Sequence, residues 1–309
     1  MNNDITLVEY FRNWIDTYKK GAVREVTYNK YITSLKRLEE IIHDMKLSDM
    51  NRVTYQSILN TYAETHEKVT VMDFHHHLKS VLLDARDEGY LNYDPTRRAV
   101  IKGKIPNKKK DKYLSQFELD SLLRKLELSE TPSQDWLILV LAKTGARFSE
   151  AIALTPQDFD FEKQKITINK TWDYKQNGGF VPTKNQSSVR TIQMDWHLAM
   201  QMHMLVANLP PDKPVFSKIF VNGKCFNSTT NNRLKALCKK AEVPVITVHG
   251  LRHTHASVLL GAGVSIASVS QRLGHSNMAT TQKVYLHIIK ELEIKDNGLI
   301  MTALTGLGG

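Results

Sequence analysis

Cysteine is nearly absent from this chain: Cys225 and Cys238 are the only two in 309 residues. They form neither a CxxC pair nor a disulfide framework, so the expectation is a reducing compartment, two packed thiols, and a fold that holds no metal and needs no cofactor. Long apolar runs are missing as well. None approaches the ~20 residues that a membrane span needs, and the opening Met1-Asn2-Asn3-Asp4 is polar and acidic where a secretory signal would be basic and then apolar. A cytoplasmic protein without a membrane partner is expected. Acidic residues fall short of basic ones, 32 against 42, which leaves a formal charge of +10. That surplus favours a polyanionic partner, because each Lys or Arg set against a phosphate releases a condensed counterion. Charge alone does not separate DNA from RNA or anionic lipid. No strongly amphipathic basic helix stands out, however, which puts lipid last.

What is present divides into two parts, each long enough to bury a core of its own. In residues 1–96 the apolar side chains recur at helical spacing: Leu7, Phe11, Trp14 and Tyr18; Tyr28, Tyr31, Leu35, Leu38 and Ile42; Tyr55, Ile58, Leu59 and Tyr62; Val71, Phe74, Leu78, Val81 and Ala85. Four helices burying these stripes against one another make a bundle, and its aromatics are read as packing. The triplet His75-His76-His77 does not suit a metal, because consecutive helical residues point about 100° apart. One packed histidine flanked by solvated ones is expected. The helical pattern stops near Gly89-Tyr90-Leu91-Asn92-Tyr93-Asp94-Pro95. A basic linker follows over 97–113, with Arg97, Arg98, Lys102, Lys104, Lys108, Lys109, Lys110 and Lys112 against a single acid, Asp111. Such a run is either a solvated connection or a tether lying along a phosphate backbone.

Residues 114–287 read as a second, mixed domain. Ser115 and Glu118 have capping-box spacing, and an apolar helix around Trp136 to Ala142 ends in Thr144-Gly145-Ala146-Arg147-Phe148-Ser149-Glu150. The period then changes. Phe159 and Phe161 alternate, Ile166 and Ile168 alternate, and Val189 and Ile192 fall in a third extended stretch, which predicts a small antiparallel sheet. Asn177-Gly178-Gly179 is a loop before the third strand, with Lys184 just ahead of it. Helices return around Asp195 to Ala207 and Asn231 to Ala241. The chain as a whole is therefore expected to be mainly α with a small antiparallel β-sheet. A tail, 288–309, keeps Ile289, Leu292 and Ile294 before a glycine-rich end.

Between His249 and His287 the residues carry chemistry. His249-Gly250-Leu251-Arg252-His253-Thr254-His255, then Leu273-Gly274-His275, then Tyr285 offer imidazoles for proton transfer, a guanidinium fork for a phosphate and a hydroxyl nucleophile. Arg147 supplies a second fork from upstream. Attack on a phosphodiester builds charge on the non-bridging oxygens, and arginines meet it without changing protonation. A tyrosine would store the broken ester as phosphotyrosine, from which strands rejoin without ATP. A lysine would suit the role of proton donor to the leaving sugar oxygen. Each residue alone is ordinary: Arg147 in a surface ion pair, His275 at a helix end, Tyr285 half-buried in packing.

The boxes around Arg147, His249 to Ser257, Leu273 to His275 and Tyr285, in that order and spacing, resemble the tyrosine recombinases, in particular phage and conjugative-transposon integrases. The resemblance implies a helical, SAM-like core-binding domain followed by a mixed catalytic domain, closing on duplex DNA at specific attachment sites. It implies that Arg147 and Arg252 grip the scissile phosphate, His249 assists proton transfer with the tyrosine, His275 bonds a phosphate oxygen and Tyr285 attacks. Lys184 would protonate the leaving 5′ hydroxyl, and Glu150 would buttress the site from behind. His253, His255 and His287 are left as supporting groups. The resemblance further implies a homotetramer in the synaptic complex, a tail exchanged between subunits, excision or host accessory proteins, and a bacterial host cell. Gly250 stands where many relatives carry an acid, and nothing before Leu7 could encode an arm-binding domain. The rival readings are a type IB topoisomerase and a DNA-binding regulator that has lost catalysis.

Overall fold

Thr6 and Glu9 exchange side-chain and backbone hydrogen bonds as a capping box, and helix α1 (Leu7–Tyr18) starts there. The computed structural model describes residues 4–105, 113–174, 178–183, 185–222, 224–279, 281, 282 and 285. Lys108, Lys109, Lys110, Lys112, Lys184, His287 and the tail 288–309 lie outside them. The chain divides into two compact units, residues 1–109 and 110–309.

The first unit is a bundle of α1, α2 (Glu25–Ile42), α3 (Arg52–Ala63) and α4 (Lys68–Asp87). Asn51 caps α3 by accepting from the amides of Val53 and Thr54. The stripes expected from the periodicity meet in one core, where Phe11, Ile15, Leu38, Tyr55, Leu59, Val71, Leu78 and Leu82 are buried. Polar tips on the core's large side chains find partners: Trp14 Nε1 donates to Asp84 at 2.6 Å and Tyr10 Oη to Glu88 at 2.8 Å.

The histidine triplet differs from expectation, because two of its members are engaged. His75 is buried and its Nδ1 lies 2.7 Å from Tyr55 Oη. Half-buried His77 lies 2.8 Å from Ser34 Oγ and against the Tyr31 ring, while His76 is exposed. The start of the basic linker also runs along the bundle. The Gln56 amide both donates to and accepts from the backbone of Val100, and the Lys104 amide donates to His66 O at 2.8 Å. Arg97, Arg98, Lys102 and Lys104 stay exposed.

The second unit is built around α6 (Gln134–Thr144), whose residues Trp136 to Ala142 are all buried. A helix apolar on every side belongs at the centre of its domain. Around it lie α5 (Gln116–Leu123), capped by Ser115 and Glu118 as expected, α7 (Phe148–Ala151), α8 (Trp196–Val206), α9 (Asn227–Lys240), α10 (Val248–Gly261) and α11 (Ile266–Leu273). Helix α9 begins four residues before the expected start, in a polar stretch without periodicity. Strands β1 (Phe159–Asp160), β2 (Lys165–Ile168) and β5 (Arg190–Gln193) form the antiparallel sheet in the order β1-β2-β5. Between β2 and β5 the chain makes a second antiparallel pair, β3 (Lys170–Trp172) with β4 (Phe180–Pro182), which the alternation pattern does not reveal.

The register corrects the reading of the third strand. Ile166 faces Ile192 and Ile168 faces Arg190, so the alternation that turns Ile192 inward turns Arg190 inward too. Val189 is 49% exposed. Among the described residues, no helix is long and apolar enough to cross a membrane.

Burial lowers the pKa of both His75 and His77. The unfolded chain therefore binds their protons more readily than the folded one, and the stability they permit, intact above the ordinary imidazole value of about 6.5, is lost as pH falls below it. Measured against the intrinsic exchange rate at each pH, the protection of amides in α3 and α4 of the intact protein should fall as pH drops from neutral to the carboxylate range, and should fall less in the His75→Gln/His77→Gln variant.

Candidate active site

Two tight helix ends and one helix start converge. Helix α6 closes on Gly145 in the left-handed region (φ 66°), the chain turns, and Arg147 becomes the first-turn cap of α7. A Cβ on Gly145 would lie 2.7 Å from the His255 ring. Helix α11 closes in the same way on Gly274 (φ 68°), where a Cβ would come within 2.9 Å of Arg190 Nη1. Helix α10 opens under a Thr247 cap, which places His249 in its first turn and Arg252 and His253 one turn later.

The arginines are held mainly by the backbone of these turns. Arg252, 3% exposed, donates Nη1 to Gly145 O at 2.7 Å and Nη2 to Leu273 O at 2.6 Å. Arg147 donates Nη2 to Gly274 O at 3.0 Å and Nη1 to Glu150 at 2.7 Å. Its side chain keeps 34% of its surface open. Glu150, almost fully buried, receives Arg190 Nη2 at 2.9 Å and the Arg147 backbone amide at 2.9 Å. Arg190 reaches on to the carbonyls of Arg272 and Ser188. Arg272 donates to His255 Nε2 at 2.9 Å, while His255 Nδ1 lies 3.0 Å from Ala142 O. An acceptor at Nε2 and a donor at Nδ1 fix His255 as a neutral tautomer. Burial and then Arg272 push its pKa down to about 3, in keeping with that state.

Of the residues named from the sequence, Arg147, Glu150, His249, Arg252, His275 and Tyr285 gather here; Lys184 lies outside the described residues, and the linker residues Arg97, Arg98, Lys102 and Lys104 belong to the first unit. His275, directly after Gly274, has Nδ1 2.8 Å from Thr281 Oγ1. Burial, then Arg252 and Arg147, lower its pKa to about 4. His249 reaches solvent, yet the protein packed around it and the same two arginines lower its pKa. Tyr285, 2% exposed, packs with Ala256, Leu260, Val269 and Leu273. Burial raises its pKa to about 12 against the opposing pull of Arg252. Its hydroxyl lies 2.9 Å from His253 Nδ1.

Three contributors were not picked out from the sequence as site residues. Arg190 was passed over because the strand was read on Val189 and Ile192; an arginine at an inward position of an alternating strand was the available signal. Arg272, beside the Leu273-Gly274-His275 box, carried no signal of its own. His253, set aside as a supporting group, touches the tyrosine hydroxyl, and its spacing of four from His249 put both on one helical face. Among the described residues, no group of three or more His, Cys, Asp or Glu side chains could hold a metal ion.

Charge decides what the arrangement binds. Arg147 and Arg190 share the Glu150 carboxylate, while Arg252 bonds only carbonyls and Arg272 bonds carbonyls and His255, so the cluster carries excess positive charge in partly buried surroundings and suits an anion with several oxygens. Burial alone would raise the Glu150 pKa, but Arg190 and Arg147 outweigh it and the net shift is downward. Removing one partner of a buried pair typically costs about 3–5 kcal/mol. Glu150→Gln should therefore lower the denaturation midpoint of the second unit by a corresponding amount at neutral pH, with a smaller difference from the parent at acid pH, where Glu150 itself protonates.

Comparison with known proteins extends the geometry. The Phage integrase family model matches residues 112–291. The Tyrosine recombinase XerC-like protein of Caldanaerobacter subterraneus subsp. tengcongensis is 25% identical over 93% of this chain and 80% of its own. The transposase from transposon Tn916 of Enterococcus faecalis is 31% identical over 56% of this chain, and the match spans only 47% of that transposase. Among solved structures, the Tn1549 transposon integrase in complex with transposon right end DNA superposes with a TM-score of 0.75 at 19% identity, covering 91% of this chain and 95% of that one. A lambda integrase tetramer bound to a Holliday junction gives 0.65 at 14% identity, over 92% and 78%. With the family match running through the arginine turn, α10, α11 and Tyr285, the chain belongs to the phage integrase family of tyrosine recombinases.

Proposed function

We propose that the protein is a site-specific recombinase that cuts and rejoins duplex DNA through a 3′-phosphotyrosyl intermediate, integrating or excising a mobile element. The observation that carries this reading is a cluster of arginines, Arg147 and Arg190 on one buried carboxylate and Arg252 on backbone carbonyls beside them, with a tyrosine hydroxyl on the adjoining helix face. A backbone phosphate brings the missing negative charge. Arg147 and Arg252 grip its non-bridging oxygens, His275 donates to one of them, and His249 serves proton transfer at the solvent-facing edge. Glu150 holds Arg147 in place. Tyr285 attacks, and Lys184 supplies the proton to the leaving 5′ oxygen, as the family resemblance implies.

The exposed Arg97, Arg98, Lys102 and Lys104, with Lys108, Lys109 and Lys110, follow the DNA backbone; their charge supports this, since phosphate contacts give affinity without sequence readout. Strand exchange between two duplexes engages four protomers, a reading supported by the lambda integrase tetramer on a Holliday junction. Accessory proteins that set the direction of exchange belong to the same reading.

Duplexes tiled across the DNA adjoining the gene, each nicked once and incubated with the protein in EDTA, test it. At least one tile should yield a detergent-stable protein–DNA adduct that Tyr285→Phe abolishes. An adduct without strand exchange between two copies of that tile would indicate a topoisomerase, and no adduct on any tile a non-catalytic binder.

A further inference from the structure

We propose that His253 is a catalytic residue: its Nδ1 takes the proton of Tyr285 as the tyrosine attacks. This rests on the recombinase reading above and reassigns a residue that the reading leaves idle. The family resemblance points to His249 for proton transfer with the tyrosine. The geometry points one turn further along α10, because Tyr285 Oη lies 2.9 Å from His253 Nδ1, whereas His249 meets the His253 ring edge-on with centroids 4.7 Å apart. A general base acts from about 2.6–3.2 Å of the oxygen it deprotonates, or through one water, and His253 meets the direct distance. Among the described residues, the hydrogen bond of Tyr285 is the one to His253.

The scaffold fixes this contact at both ends. Helix α10 is held against rotation by the two carbonyl bonds of Arg252, the residue immediately before His253, and by the bond of Leu114 N to Thr254 Oγ1, immediately after it. The Tyr285 ring is seated by Ala256 and Leu260, one and two turns beyond His253 on the same face of α10. A phenol in such apolar surroundings does not ionise unaided at neutral pH. It needs a neutral acceptor to take its proton. Among the described residues, His249, His275, Arg252 and Tyr285 are titratable groups near His253.

The step balances. With its own proton on Nε2, His253 presents a lone pair at Nδ1. The Tyr285 O–H bond breaks, the proton passes to Nδ1, and the phenolic oxygen forms a bond to phosphorus. The bond from phosphorus to the 5′ oxygen breaks, and that oxygen takes a proton from the general acid assigned to Lys184. On rejoining, the imidazolium returns its proton to the departing tyrosine.

The test uses the full-length protein and a tile that traps an adduct, with single-turnover rates measured across pH. His253→Asn keeps a hydrogen-bonding atom near the Nδ1 position without its basicity, and His253→Phe keeps the ring packing. Both should cut the rate of adduct formation roughly 10²–10⁴-fold at neutral pH, the scale of lost general-base catalysis. Their rates should climb steadily with pH as hydroxide replaces the histidine. DNA affinity should be unchanged. A tile with sulfur in place of the 5′ bridging oxygen, whose leaving thiolate needs no acid, should leave the defect in place. Near-parental rates in His253→Asn would overturn the proposal by showing that the contact only positions the tyrosine. Rescue by the sulfur tile would overturn it by moving the histidine to the leaving group. Absence of any adduct with the unsubstituted protein would instead sink the recombinase reading itself.

Discussion

The carboxylate of Glu150 is shared by two guanidiniums, and the rest of the site depends on how that charge is divided. Two like charges about 4 Å apart repel by about 4 kcal/mol at an effective dielectric of 20, so four arginines do not gather around one acid without other help. Backbone carbonyls give that help. Those of Gly145, Leu273 and Gly274 face Arg147 and Arg252, and those of Ser188 and Arg272 face Arg190. Dipoles of this kind orient a guanidinium without neutralising it. The positive charge that remains is available to a phosphate.

This arrangement explains why the catalytic unit is organised around α6. Its apolar surface is buried on all sides, which fixes the position of its end, and the turn at Gly145 then delivers both a carbonyl for Arg252 and the Arg147 cap of α7. The sheet contributes Arg190 from the inward face of β5, and α11 contributes the turn at Gly274. Arg147, Arg190 and Arg252 each adjoin residues of the main core and inherit its rigidity. The tyrosine sits differently, in a small apolar cluster of its own on α10 and α11.

Much of this was legible in the sequence, for physical reasons that also mark where legibility ended. The four bundle helices were readable because their buried stripes follow the helical period, and the turn at Gly145 because glycine marks a left-handed helix end; the like turn at Gly274 was not read. The boxes carrying Arg147, Arg252, His275 and Tyr285 were readable from their order. The pair β3 and β4 was not, because three-residue strands that are exposed or only half-buried leave no alternation to detect. Arg190 was missed because a charged residue pointing inward breaks the apolar alternation used to find strands. Only the register with Ile168 reveals it. A second engaged histidine in the triplet was not foreseen because the partners of His77, Ser34 and Tyr31, come from a helix distant in sequence. His253 adjoins a residue that already had a role, and only coordinates bring it to the tyrosine.

Because the grip on Arg252 comes from main-chain oxygens, no neighbouring side chain has to be preserved for that arginine to stay in place. Side chains around it can be exchanged without removing either bond, provided that the turns keep their shape. The cost of that tolerance falls on backbone shape, and it concentrates evolutionary fragility at the two glycines that bend the chain.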